Sequence, residues 1–249
     1  MIPLRTPAEI DAIAEAGSVL AHLFDAIAPR VEPGVSTADL DAFAEQFIRS
    51  HDGATPAFKG LYGFPATLCT SINEEVVHGI PSRRRVLQPG DIISIDAGVR
   101  LNGWFADCAR TFPVGPIDTE STNLLDVTRT ALDAGIAACR PANRLGDIGA
   151  AIQTIAESAG MSVVRELVGH GVGRAPHEAP QVPNFGRAGT GLRLMPGLVI
   201  AIEPMVNQGT ATIETLDDRW TVVTDDRRRS AHFEHTVAVT ANGPRILTD

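Results

Sequence analysis

The chain has 249 residues, of which 44% are hydrophobic and 20% are charged, a balance that suits one large domain or two small ones. Its net charge of -9 argues against a nucleic-acid module that binds by neutralising phosphates. The three cysteines are widely spaced, which argues against a disulfide framework. The N-terminus is charged where a signal peptide would be apolar, and no run approaches the ~20 apolar residues of a membrane span. We therefore expect a cytoplasmic protein with no membrane partner and no direct nucleic-acid specificity.

Two helices are predicted in the first 53 residues. Thr6 has the form of a helix cap, because a proline follows it and Glu9 stands three residues later. Apolar residues then recur at helical spacing from Ile10 to Ile27. Ser36-Thr37-Ala38-Asp39 begins a second helix, and the Gly-containing stretch 51–53 ends it.

A β-hairpin is predicted over residues 92–112, after a β-like run at 67–81. The dipeptide Asn102-Gly103 is a strong two-residue hairpin signal, because both positions accept positive φ. If this turn closes the hairpin, Leu101 pairs with Trp104, and Asp96 pairs with Ala109.

Two carboxylates share one face of this hairpin. Asp96 and Asp107 become diagonal neighbours, roughly 7–8 Å apart at the backbone and within reach of a shared ligand. Carboxylates this close repel each other unless one is protonated or a cation lies between them. The alternative is two solvent-facing acids on a half-exposed hairpin.

The second half of the chain repeats the order of the first. Helices are predicted at about 119–139 and 145–159, followed by short β-like runs separated by Gly/Pro turns. PGDIISID at 89–96 matches PGLVIAIE at 196–203, and VEPGVSTADLDAF at 31–43 resembles CRPANRLGDIGAA at 139–151. We expect one catalytic domain, 1–249, internally duplicated into halves of about 1–115 and 116–249. Pseudo-twofold symmetry would bring Asp96 and Glu203 to one central site.

Several acids and histidines lie in apolar or Gly-rich surroundings, where charged groups are rarely buried unless they are paired or bind a metal. Each alone is more simply a surface acid or a hydrogen-bonded core histidine. Four carboxylates and one imidazole together could hold two divalent cations, with Mn²⁺, Fe²⁺, Co²⁺ or Mg²⁺ suiting the oxygen-rich ligands. Two such ions can share a water and lower its pKa. The candidates are His78, Asp96, Asp107, His170, His177, Glu203 and Glu234.

The chain resembles the methionine aminopeptidases of the short bacterial type I form. The resemblance spans nearly the whole chain in order: HGIP at 78–81, IDAG at 95–98, Asp107, GHGVG at 169–173, His177, IEPM at 202–205 and EHT at 234–236. It implies an α/β (α+β) pita-bread fold of pseudo-twofold symmetry, in which two helix pairs flank a central antiparallel sheet.

The resemblance also implies roles for individual residues. His78 and His177 would hydrogen-bond the substrate around the scissile amide, and Glu203 would also carry the proton of the attacking water. Asp107 and Glu234 would bridge two divalent ions (Co, Mn or Fe). The implied metal ligands are Asp96, Asp107, His170, Glu203 and Glu234.

A methionine pocket is implied as well, for which ordinary core packing is the alternative. Pro176, Leu61 and Phe105 depart from residues common in the family, so any difference from relatives is expected in the pocket and not at the metal site. We expect no role at the cleft for the remaining histidines, His22, His51, His232 and His235. The pocket residues are Phe58, Leu61, Phe64, Cys69 and Trp220.

The expected function is removal of the initiator methionine from nascent polypeptides, with preference for a small second residue. One alternative is an Xaa-Pro peptidase of the same fold, although such enzymes usually carry an additional N-terminal domain for which this length leaves no room. Another is a catalytically inactive binding protein on this scaffold, which would be expected to have lost ligands. We expect a monomer. The charged runs at 83–85 and 225–229 suggest either solvated loops, the commoner case, or weak ribosome association.

Overall fold

Four α-helices form where the sequence predicted them. The computed structural model describes residues 2–249, and its helices are α1 (Pro7–Ile27), α2 (Thr37–Arg49), α3 (Thr119–Ala138) and α4 (Leu145–Ser158). Thr6 and Ser36 cap α1 and α2 in complete capping boxes, as predicted. Within the described residues, no helix has the length and apolar character needed to cross a bilayer.

The strands are short apart from one long hairpin. They are β1 (Ala54–Pro56), β2 (Leu68–Ile72), β3 (Glu75–Val77), β4 (Ile92–Leu101), β5 (Trp104–Pro113), β6 (Ser162–Val163), β7 (Gly169–Gly171), β8 (Glu178–Val182), β9 (Val199–Ile202), β10 (Met205–Asn207), β11 (Ile213–Thr215), β12 (Val222–Thr224), β13 (Ser230–His232), β14 (Glu234–Thr240) and β15 (Gly243–Ile246).

A nine-stranded antiparallel sheet forms the centre of the molecule. Its strand order is β1-β4-β5-β14-β9-β7-β8, with β2 added to β4 and β15 added to β14. Two small three-stranded sheets, β13-β10-β6 and β11-β12-β3, lie beside it. Because β14 pairs with both β5 and β9, it joins the first half of the chain to the second.

The hairpin β4–β5 has the predicted register. Leu101 pairs with Trp104 and Asp96 with Ala109. Asn102 and Gly103 have φ values of 51° and 84°, so the turn uses the left-handed backbone that made this dipeptide a hairpin signal.

Each helix pair covers part of the central sheet. One buried core joins α1 and α2 to residues of β4 and β5, and a second joins α3 and α4 to residues of β9 and β14. These two cores confirm the predicted mixed α/β architecture, a central antiparallel sheet flanked by two helix pairs. Inner strands of this sheet carry four of the candidate residues, Asp96, Asp107, His170 and Glu234.

Candidate active site

A cavity of about 430 Å³ opens between the two halves of the chain. Strands β4, β5, β7 and β14 and the segment after β9 contribute acids or histidines to its wall, and the loop at 58–64 contributes aromatic residues. A cavity that combines an apolar part with a few convergent polar groups is the usual form of a small-ligand site.

Asp96 and Asp107 face this cavity from the hairpin. Asp107 stands opposite Gly98, one diagonal step from Asp96, as the register predicted. Thr236 fixes the backbone of Asp107 from β14, because its hydroxyl accepts from the Asp107 amide at 3.0 Å and donates to the Asp107 carbonyl at 2.8 Å. A Cβ on Gly98 would lie 2.7 Å from Phe58, so this glycine leaves room for the aromatic ring.

The second half of the chain contributes Glu234, Glu203 and His170. Glu234 pairs with Ala109 at the start of β14, and Glu203 directly follows β9. His170, in the middle of β7, has its Nε2 atom 3.4 Å from Glu203 Oε1 and 3.9 Å from Asp107 Oδ2. Pairing of β7 with β9 and of β9 with β14 therefore brings these side chains to the hairpin acids.

The donor atoms of the cluster are close enough to share a cation. They form three overlapping groups, in each of which the ligand atoms lie within 4.8 Å of one another. One carboxylate oxygen of each acid is buried and has no hydrogen-bond partner within residues 2–249: Asp96 Oδ1, Asp107 Oδ1, Glu203 Oε1 and Glu234 Oε1. The three groups are Asp107/His170/His177, His170/Glu203/Glu234 and Asp96/Asp107/Glu234.

Burial controls the protonation of the cluster. It raises the pKa of Asp96 to about 7, and together with neighbouring acids it raises the pKa of Asp107 and Glu234 well above their usual values. The pKa of Glu203 rises for the same reasons. Burial lowers the pKa of His170 to about 4, which keeps the imidazole neutral and able to bind a metal. A divalent cation would relieve the repulsion among these acids, so the donor set fits such an ion.

His78 and His177 lie beside the acidic cluster. The rings of His177 and His170 are 4.4 Å apart and nearly perpendicular. His78 adopts a left-handed backbone, with φ of 61°, and its ring meets Trp220 edge-on at 6.4 Å. Burial lowers the pKa of both residues, so both are neutral imidazoles that can donate one hydrogen bond and accept another.

The predicted pocket residues form one apolar cluster next to the acids. Cys69 pairs with Asp96 across β2 and β4, and the rings of Phe64 and Trp220 meet at 5.1 Å. All five predicted residues line the cavity: Phe58, Leu61, Phe64, Cys69 and Trp220.

The expectation that His232 has no place at the cleft was wrong. His232 ends β13 and lines the cavity, with its Nε2 atom 3.9 Å from Glu203 Oε2. One signal was available in the sequence, because His232 precedes Glu234 by two residues, the spacing that puts side chains on one face of a strand. Pairing of β13 with β10, outside the central sheet, could not be predicted from that spacing.

Two further features of the cleft were not predicted. Tyr62 is 76% exposed, and its ring stacks on that of His177 at 5.9 Å. Glu178 accepts hydrogen bonds from the backbone amides of Arg174 and Ala175 and forms an ion pair with Arg5. These contacts hold the turn that presents His177.

Comparison with known proteins is consistent with this geometry. The profile of metallopeptidase family M24 matches residues 11–241. A methionine aminopeptidase from Clostridium perfringens is 53% identical, with 100% of this chain and 99% of that protein covered. The crystal structure of methionine aminopeptidase from Rickettsia prowazekii superposes with a TM-score of 0.98 at 43% identity, covering 100% of both chains. An Xaa-Pro dipeptidase from Bacillus anthracis reaches a TM-score of 0.77 at 21% identity, over 99% of this chain and 62% of the dipeptidase, and shares the fold alone.

Proposed function

The chain belongs to metallopeptidase family M24, and from its full-length relatives named methionine aminopeptidase we propose that it removes the N-terminal methionine from polypeptides. It is a metal-dependent hydrolase of the pita-bread fold, because its full length matches proteins named methionine aminopeptidase. The observation that carries the proposal is the contact between a buried cluster of acids and an apolar pocket within one cavity. We expect the enzyme to prefer a small second residue.

Different parts of the cavity are proposed to bind the methionine side chain and to hydrolyse the peptide bond. We propose that the methionine side chain enters the cluster of Phe58, Phe64, Cys69 and Trp220 together with Leu61, since apolar and sulfur-containing surfaces suit an unbranched thioether. Because Cys69 stands opposite Asp96, a side chain bound there places its own backbone near the acids. The scissile amide then lies beside His78 and His177.

Five residues are proposed to hold divalent metal ions. Their support is the set of buried, unpartnered carboxylate oxygens and the neutral imidazole. We infer that these residues would hold two ions, and Mn²⁺, Fe²⁺ and Co²⁺ are all compatible with the donors. When bound, such ions supply the Lewis acidity that lowers the pKa of water and polarises a carbonyl group. The five residues are Asp96, Asp107, His170, Glu203 and Glu234.

Protein groups handle the protons and orient the substrate. Glu203 is proposed to accept a proton from the attacking water and pass it to the leaving amine, because its carboxylate lies in the cavity wall among the other metal-ligand candidates. His78 and His177 would hydrogen-bond the amide as neutral donors. Burial excludes bulk water from the acids, which strengthens each of these interactions.

The domain organisation and partners are proposals with independent support. Gly90 and Gly197 share positive φ values of 92° and 96°, each two residues before a central strand, which favours a single domain 1–249 duplicated at about residue 115. We propose a monomer that acts in the cytoplasm; the cysteines Cys69, Cys108 and Cys139 are free and buried, which suits a reducing environment. Weak ribosome association also remains a proposal, resting on the exposed Arg83 and its neighbours.

The alternative functions are not favoured. An Xaa-Pro peptidase has support from fold likeness alone, whereas the relatives at high identity are named methionine aminopeptidases. An inactive scaffold would be expected to have lost some of the metal-ligand candidates, and all five are present here.

Peptide specificity separates these functions. The purified protein, supplied in turn with Mn²⁺, Fe²⁺ and Co²⁺, is expected to release methionine from Met-Gly-Met and to leave Xaa-Pro and Pro-Xaa dipeptides intact. Cleavage of the Xaa-Pro peptide alone would favour the peptidase rival. An absence of turnover with every metal would favour the inactive scaffold.

A further inference from the structure

His232 is a buried imidazole with no assigned partner. It is 1% exposed, and within residues 2–249 neither Nδ1 nor Nε2 has a hydrogen-bond partner. Buried polar groups are almost always hydrogen-bonded, so an orphaned ring in a cavity wall requires an explanation.

The backbone of His232 is firmly held. Its amide donates to Thr111 Oγ1 at 2.9 Å, and its carbonyl accepts from the same hydroxyl at 2.8 Å. Met205 pairs with it from β10. The ring therefore projects from a fixed point.

Glu203 Oε2 lies 3.9 Å from Nε2 of this ring. The other oxygen of that carboxylate, Oε1, faces His170 at 3.4 Å. The backbone carbonyl of Glu203 accepts from Asn184 at 3.0 Å, whereas Oε1 of its carboxylate is buried with no hydrogen-bond partner within the described chain. Glu203 thus has a fixed backbone and an unfixed carboxylate.

We propose that His232 is a positioning residue for Glu203, whose Oε2 accepts a hydrogen bond from the Nε2–H of His232 while Oε1 stays turned toward His170. The contact requires Nε2 and Oε2 to approach by ~1 Å, to the usual N–H···O distance, which a small rotation of the carboxylate supplies. A carboxylate oriented in this way keeps Oε2 on the His232 imidazole and leaves Oε1 available to a cation. The inference rests on the proposed role of Glu203 in a metal-dependent hydrolase.

Three substitutions of His232 test this role, and they differ in whether and where the new side chain offers an N–H donor. His232→Gln keeps an N–H donor near the Nε2 position, His232→Asn places one near Nδ1 instead, and His232→Leu fills the space with no donor. His51→Leu is the matched control, because that partly buried histidine lies beyond the end of α2, outside the cavity wall, and bonds to the Phe47 carbonyl. Each protein is compared by thermal unfolding, by Co²⁺ affinity and visible spectrum, and by kcat and KM on Met-Gly-Met.

The presence of an N–H donor at the position of Nε2 should determine whether Co²⁺ binding and kcat are retained. We expect His232→Leu and His232→Asn to weaken Co²⁺ binding or lower kcat by roughly 10- to 100-fold, the range found when partners of metal ligands are removed, with KM nearly unchanged. His232→Gln and His51→Leu should stay within about threefold of the parent. In a Glu203→Gln background, His232→Leu should weaken Co²⁺ binding no further, because the contact acts through that carboxylate.

Three results would overturn the role. The first is a His232→Leu protein with the Co²⁺ affinity, spectrum and kcat of the parent, and the second is a loss of Co²⁺ affinity or kcat in His232→Gln but not in His232→Asn. The third is a full additional loss of Co²⁺ affinity when His232→Leu is combined with Glu203→Gln. If His232→Leu does not fold, the Gln and Asn variants decide between the two ring nitrogens. A parent protein that releases no methionine refutes the proposed function instead, and Co²⁺ affinity and spectrum still test His232.

Discussion

The Nε2 atom of His170 lies 3.4 Å from the Oε1 atom of Glu203, although β7 and the segment after β9 are separated by about thirty residues of chain. The pairing of Gly171 with Ile200 brings these two segments together. Through β14 the same sheet continues to the hairpin that carries Asp96 and Asp107. The candidate metal cluster is therefore a consequence of strand order, and its chemistry can be tested residue by residue.

Replacing Glu203 by glutamine should slow the chemical step. The change keeps the shape of the side chain and removes its capacity to accept a proton, so we expect kcat on Met-Gly-Met to fall by roughly 10²- to 10⁴-fold. The exposed Glu120→Gln on α3 is the control and should behave as the parent does. A Glu203→Gln protein with parental kcat would remove this residue from the mechanism.

Phe64→Ala should weaken the preference for methionine as the first residue of the peptide. Phe64 is 4% exposed and packs edge-on against Trp220, so its loss enlarges the apolar pocket. We expect the preference for Met-Gly-Met over Leu-Gly-Met, measured as a ratio of kcat/KM values, to fall by about tenfold or more.

Phe43→Ala provides a matched control for that loss of volume. Phe43 is a partly buried residue of α2, packed against the first core away from the cavity. Its removal should lower the melting temperature and leave the substrate preference unchanged. Equal effects of the two substitutions on the preference would contradict the assigned pocket.

Metal removal should make stability fall with rising pH near neutrality. Burial raises the pKa of Asp96 to about 7 from 3.8, so near neutral pH the folded, metal-free protein binds more protons than the unfolded chain. The stabilisation from this proton is present at low pH and is lost as pH rises through about 7. Histidines with lowered pKa, such as His170, oppose the trend most strongly below their unfolded value of 6.5, and their effect fades as the pH rises above it.

Chemical denaturation in EDTA at pH 6.5, 7.0 and 7.5 measures this effect. The free energy of unfolding should decrease along the series, and excess Mn²⁺ should raise it most at the highest pH, because the ion replaces the bound protons. An unfolding free energy that rises with pH in EDTA would mean that the acids are not buried together as described.

Gly17→Ala should destabilise the protein although it lies within a helix. Alanine normally favours a helix over glycine by about 1 kcal/mol. A Cβ at Gly17, however, would overlap the backbone carbonyl of Leu247, which packs against α1. We expect a net loss of roughly 1–3 kcal/mol in urea denaturation, as for other overpacked sites.

The adjacent exposed residue supplies the control for helix propensity. Ser18→Ala on the outer face of α1 should be neutral or slightly stabilising. If Gly17→Ala also stabilised the protein, the close packing of the chain terminus on α1 would be wrong.

Local signals in the sequence predicted much of the fold. The cap at Thr6 and the turn at Asn102-Gly103 depend on neighbouring residues alone, and both formed as expected. The candidate ligands could be named from their apolar surroundings and from family resemblance. Their convergence could not be derived from local pattern, because it depends on which strands pair across the two halves.

Contacts between distant segments account for what was missed. The three-residue strand ending at His232 pairs with β10 in a small side sheet, which no alternation of residues could indicate. The ion pair of Arg5 with Glu178 joins positions 173 residues apart and supports the turn before β8. Side chains positioned by such contacts are visible only once the chain is folded.

Metal content together with activity tests the central claim most directly, with Asp107→Asn as the variant and the exposed Asp133→Asn as its control. Asp107 is 4% exposed on β5, the hairpin strand that pairs with β14, and an amide keeps the shape of its side chain while removing the charge. After loading with Mn²⁺ and gel filtration, the parent and Asp133→Asn should retain about two ions per chain and release methionine from Met-Gly-Met. Asp107→Asn should lose at least one ion and most of the activity. Parental metal content and parental activity in Asp107→Asn would contradict the proposed site.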